Sequence, residues 1–98
     1  MNRETWWLDT SGFPDLLWAR LRVFVDGSAD VLDLDGKVHR FRTEQDARFW
    51  LAEDEYVSLE SIEDDELTYA ALTREELVPP SALRDSDIVP KMFVRRSI

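Results

Sequence analysis

The chain has 98 residues, 44% hydrophobic and 11% aromatic, with 21 acidic side chains against 12 basic ones and a formal net charge of −9. A chain of that length builds one small domain that buries about 60–65% of its unfolded surface, and its apolar content is too high for intrinsic disorder. With no cysteine it has no disulfide framework, thiolate metal site or cysteine nucleophile, and the acid excess argues against direct binding of a nucleic-acid backbone.

Residues 1–16 read as an irregular N-terminal arm, because Trp6, Trp7, Leu8 and Phe13 are interrupted by Asp9-Thr10-Ser11-Gly12 and Pro14 without a regular period. The arm lacks the apolar run of about 7–15 residues that marks a signal peptide, and nowhere do about 18 apolar residues follow one another. The expectation is a cytoplasmic chain without a membrane span. From Leu17 the alternation is clean: Leu17, Ala19, Leu21, Val23 and Val25 fall on one face, Trp18, Arg20, Arg22 and Phe24 on the other, as in a strand.

Asp26-Gly27 supplies the positive φ of a hairpin turn and Ala29 to Leu34 forms the second strand; Asp35-Gly36 repeats the signal before a third strand, Lys37 to Arg42, with His39 and Phe41 on one face. Thr43 is placed to cap a helix that runs to Glu53 or Asp54, with Glu44, Gln45 and Asp46 in its first turn. Ala47, Trp50 and Leu51 form its inward stripe. Phe49 lies roughly 200° round from Ala47 and points away.

Tyr56 to Leu59 reads as a short fourth strand, Asp64 to Leu72 as a second helix, and Thr73-Arg74-Glu75-Glu76 as a capping box stopped by Pro79-Pro80. Ile88 to Arg96 is either an edge strand or a tail, since Pro90 bars it from a sheet centre. The predicted fold class is α+β: an antiparallel meander of three or four strands packed on one main helix, with short further helices in the C-terminal half. It forms a single domain over 1–98, with its main body at 17–78 and a proline-containing segment at 79–98.

Candidate sites divide by chemistry. Asp26, Asp30, Asp33 and Asp35 surround two glycines, but setting Gly36 as the glycine of a calcium loop puts Val31 first and Arg42 last, which the motif excludes. His39 is the only histidine and has no spacing that suggests a metal pair or a triad. The densest charge feature is Glu53, Asp54, Glu55, Glu60, Glu63, Asp64, Asp65 and Glu66, with no intervening base. It suits docking of a basic protein surface.

Trp18 and Phe24 beside Arg20 and Arg22 form a second candidate face, the type on which aromatics stack bases, although the net charge opposes that use. Cross-strand Asp30 and Asp33 are expected to neutralise some of its arginines. Among the remaining aromatics, Trp6, Trp7, Phe49 and Phe93 are outside the predicted core. Cover of Phe49 by the N-terminal arm or by Met92 to Val94 is the favoured expectation; left open, Phe49 becomes an anchor for a partner.

Asp35-Gly36-Lys37, Phe41, Thr43, Asp46-Ala47-Arg48, Trp50-Leu51 and Glu53-Asp54-Glu55-Tyr56 together resemble small bacterial domains of no assigned activity, built as a β-meander followed by a short helix. The resemblance covers less than half of the chain and implies a fold without implying chemistry. The functional expectation is a small, non-enzymatic, cytoplasmic interaction or regulatory module without cofactor or metal. Its partner is a protein, of basic character, held by Glu53, Asp54, Glu55, Glu60, Glu63, Asp64, Asp65, Glu66, Phe49 and Trp18. The alternatives are an acidic inhibitor or nucleic-acid mimic seated in a basic cleft, a small enzyme, and, through an exposed sheet edge, a homodimer.

Overall fold

The structure, a computed structural model, describes residues 3–9, 15–62 and 77–94. Its centre is an antiparallel sheet built from β1 (Arg3–Asp9), β2 (Leu16–Val23), β3 (Ala29–Leu32), β4 (Val38–Phe41) and β5 (Val57–Ser58), in the spatial order β4-β3-β2-β1-β5. The main helix, α1 (Glu44–Glu53), lies between β4 and β5 in the chain. At the C-terminal end a single helical turn, α2 (Asp85–Ile88), runs into a 3₁₀ turn (Val89–Lys91) and then β6 (Phe93–Val94). The fold is α+β.

The N-terminal arm is not irregular. Arg3–Asp9 is a full strand, paired along its length with β2 and at Trp7 and Leu8 with β5. Sequence period failed there because the strand is buried on both faces: Trp7 packs with the α1 layer and Leu8, next to it, with the opposite layer. A strand covered on both sides carries adjacent apolar residues rather than alternating ones.

Both hairpins of the meander close in the same way. The Gly27 amide donates to the Phe24 carbonyl at 3.0 Å and the Gly36 amide to the Asp33 carbonyl at 3.1 Å, and the two glycines take φ of +89° and +84°. That is a turn followed by one left-handed residue, which glycine fills without steric cost. An aspartate stabilises each: Asp26 Oδ1 accepts from the Ser28 amide, and Asp33 Oδ1 from the amides of Asp35 and Lys37. The first loop takes Phe24 and Val25 out of the strand, and Val25 is exposed.

One face of the sheet packs on α1 through Trp7, Ala19, Leu21, Ala29, Val31, Ala47 and Leu51. The other is not open to solvent as a one-sided meander would be. Leu8, Leu16, Trp18 and Leu32 are covered there by Ile62, Leu77, Ile88 and Met92, so the C-terminal segment is a third layer. β6 supplies its edge, pairing with Leu16 and Leu17 of β2 beyond the point where β3 ends, and the Trp18 amide donates to the Met92 carbonyl at 2.8 Å. Pro90 sits in the 3₁₀ turn, where its missing amide proton is not needed. The expected second helix and capping box, within 64–76, lie outside the described residues.

Candidate functional site

The helix α1 begins as its sequence predicts. Thr43 Oγ1 accepts from the Asp46 amide at 3.1 Å, and Glu44 and Asp46 occupy the first turn, where the helix dipole favours acid. Glu44 is also ion-paired with Arg48 one turn on, at 2.6 Å, and with Arg3 of β1. The hydrogen bond from Arg48 is the main reason that its carboxyl is held below the ordinary range.

The other end of α1 is built against the same rules. Its last turn holds no basic residue, and Glu53, Asp54 and Glu55 follow one another, all exposed. Among the described residues none of the three forms an ion pair. The Tyr56 amide donates to the Leu51 carbonyl at 3.0 Å and the Glu55 amide to the Ala52 carbonyl at 3.1 Å, the paired closure that normally has glycine at its left-handed position. Here Glu55 holds that position at φ +66°, the one non-glycine residue among those described with positive φ.

Phe49 lies one helical turn before Glu53 and is 64% exposed. The expected cover by the arm or the tail is absent among the described residues, because Trp6 and Trp7 pack into the two layers and Phe93 is itself 43% exposed. Asp33 and Asp35, which the sequence run did not include, line one cavity with Asp54 and Tyr56. Tyr56 is pushed up to about 12, first by burial and then by the negative fields of Asp9, Asp54, Asp33 and Asp35. Glu60 is exposed in the turn after β5, while Glu63, Asp64, Asp65 and Glu66 lie outside the described residues.

Trp18 does not belong to this surface or to any other. It is 1% exposed, set edge-on to Trp6 at 6.1 Å between ring centroids, inside the layer under the C-terminal segment. Its expected part in partner binding is thereby overturned, because the sheet is covered on both faces. Arg20 is buried for the same reason, at 3% exposure, with its guanidinium bonded to both carboxylate oxygens of Asp85 at 2.8 and 3.1 Å. Its Nε, buried as well, has no hydrogen-bond partner among the described residues. The base-stacking face therefore loses Trp18 and Arg20 to the core, and of its four residues only Arg22 and Phe24 remain in part on the surface. The Arg20–Asp85 contact joins residues 65 positions apart, and no local signal points to it.

His39 stacks on Trp50, with centroids 4.6 Å apart, and its Nε2 lies 2.7 Å from Asp33 Oδ2. Burial raises the Asp33 carboxyl, but the bond to His39 and the amides of Lys37 and Asp35 outweigh it and leave the group lowered. The pair borders a cavity of about 280 Å³ shared with Lys37, Asp54 and Tyr56, and among the described residues no serine, threonine or cysteine lines it. Among the described residues no group of three His, Asp or Glu side chains converges to hold a metal, and no helix is long and apolar enough to cross a membrane.

No protein-family model, curated protein or solved structure matches the chain. The resemblance to bacterial meander-and-helix domains therefore stays at turns, caps and core positions, and the functional reading rests on the geometry of the chain itself.

Proposed function

We propose that this protein is a non-enzymatic interaction module whose docking surface is the C-terminal end of α1. Phe49 is the apolar anchor, and Glu53, Asp54 and Glu55 form an acidic rim that selects a basic partner. The observation that carries this reading is the placement, at the negative end of a helix dipole, of three acids that form no ion pair among the described residues, which opposes folding. The acids at the start of α1 have a structural explanation, and these do not.

Two further features support it. Glu55 stands in a backbone conformation that glycine adopts more easily, and local strain of that type is commonly retained where a side chain serves something other than the fold. An exposed aromatic one helical turn before a run of like charges combines a hot-spot residue with long-range steering of an oppositely charged surface. A partner that fits has a shallow apolar pocket bordered by Lys or Arg.

The test is co-purification of a tagged copy from the native host, with the captured protein then expressed and its affinity measured directly. Phe49→Ala is expected to weaken that binary complex by about tenfold or more at any salt concentration, and Glu53→Lys with Asp54→Lys to abolish it at low salt. A complex indifferent to all three substitutions would overturn the proposal. If the partner binds nucleic acid and excess DNA or RNA displaces the wild-type protein, the module acts as an acidic occupant of a basic cleft.

A further inference from the structure

At the opposite end of the strands the charge is reversed. The β2–β3 turn curls beside the end of β4, since Ala29 stands in register with Phe41, and together they form an open groove of about 960 Å³. Arg22, Arg40 and Arg42 line it, together with Phe24 and Val25, in a chain whose net charge is −9. We propose that this groove binds a small phosphorylated molecule whose planar, largely apolar body lies against Phe24, with a mononucleotide as the matching size and chemistry.

The arginines differ in how they are held. Arg22 is fixed: its Nε and Nη2 donate to the two oxygens of Asp30 at 3.0 and 2.8 Å, and Asp30 is 4% exposed. Its guanidinium carbon lies 5.6 Å from the centre of the Phe24 ring, which leaves Nη1 without a hydrogen-bond partner among the described residues. Arg40 stands directly across from Asp30 in the β3–β4 register, yet both carboxylate oxygens are already taken by Arg22. Arg40 and Arg42 are exposed and make no ion pair among the described residues. One oriented guanidinium flanked by two unpaired ones is a donor set for phosphate, which arginine reads through paired N–H groups.

The carboxylates in the groove offset part of this charge and leave an excess of cation, three arginines against two aspartates. Asp30 is paired with Arg22, and Asp26 is held to the loop by the Ser28 amide and hydroxyl at 2.9 and 2.6 Å. The extent of the basic surface selects the size of the ligand. Polymeric nucleic acid needs a cationic track beyond the groove, whereas the acids Asp33, Asp35, Glu53 and Asp54 occupy the other end. A single phosphate on a stacked ring uses the three arginines and Phe24 and nothing more.

The experiment is a titration of the isotopically labelled full chain with AMP, adenosine, inorganic phosphate and single-stranded oligothymidylate, followed by backbone amide shifts. The expected result is saturable movement confined to Arg22 to Asp30 and Arg40 to Arg42 with AMP, and affinity weaker by about tenfold for adenosine and for phosphate. Arg40→Gln with Arg42→Gln should weaken AMP by about tenfold or more while leaving the urea midpoint unchanged, because both side chains are exposed. The proposal fails if AMP at millimolar concentration moves no resonance, if the double variant binds AMP as wild type does, if phosphate alone matches AMP, or if affinity grows with oligonucleotide length.

Discussion

The two ends of α1 use the same residue types to opposite effect. At the start, Glu44 and Asp46 follow a threonine cap, complement the dipole, and Glu44 is tied to Arg3 and Arg48. At the finish, Glu53, Asp54 and Glu55 oppose the dipole and form no ion pair among the described residues, and Glu55 takes the left-handed position as well. Folding accounts for every acid at the first end and for none at the second. Acidic composition alone therefore says little, and it is the position of each acid on its element that separates structural charge from charge kept for another purpose.

The largest effect lies away from both ends and sets the scale for them. Asp85→Ala leaves the buried Arg20 guanidinium without its carboxylate; because Asp85 itself is 45% exposed, the expected loss is about 2–3 kcal/mol, below the full cost of an orphaned buried charge. Arg20→Met, which replaces the buried partner with an apolar side chain of similar length and leaves a hydrated aspartate behind, should cost less than half as much. Equal losses in urea titrations would show that the ion pair is not what holds α2 to the sheet.

Next comes the start of α1, where Thr43→Ala should cost about 1 kcal/mol through loss of the cap. At its finish the sign inverts: Glu55→Gly should gain about 0.5–1 kcal/mol, because glycine takes φ near +66° without the clash of a Cβ. A loss on this second substitution would erase the contrast between the ends.

The smallest effect is in pH. Glu44 is held below its ordinary value of 4.5, first by the Arg48 hydrogen bond, so its contribution is complete above that value and disappears as pH falls through the lower folded-state value. Glu44→Gln should therefore lie slightly below wild type at neutral pH and converge with it in acid, when stability is followed by thermal unfolding across that range. A gap that persists in acid would mean that Glu44 acts through packing rather than charge.

Much of this organisation was legible in the chain. Thr43 as cap, the Ala47, Trp50 and Leu51 stripe, the two Asp-Gly turns and the alternation of β2 all follow from local rules, and each is where those rules place it. What escaped depends on contacts distant in sequence. The arm shows no period because Trp6, Trp7 and Leu8 belong to a strand covered on both faces, and nothing near Trp18 in the chain signals its cover, which comes from Ile88 and Met92. Within the candidate site, Phe49 and the acids at 53–55 were visible as residues. That Glu55 is left-handed was not, since no glycine or asparagine marks the position, nor that Asp33, Asp35 and Asp54 converge on Tyr56.

The central claim is that the acids ending α1 are kept at the expense of the fold. The most direct measurement of it is the urea unfolding midpoint of the Glu53→Lys, Asp54→Lys variant beside wild type at low ionic strength. Cations at that end complement the dipole, so the account predicts a higher midpoint, worth a few tenths to about 1 kcal/mol and diminished by salt. A lower midpoint would contradict it, because it would show that these carboxylates support the structure and have no need of a partner to explain them.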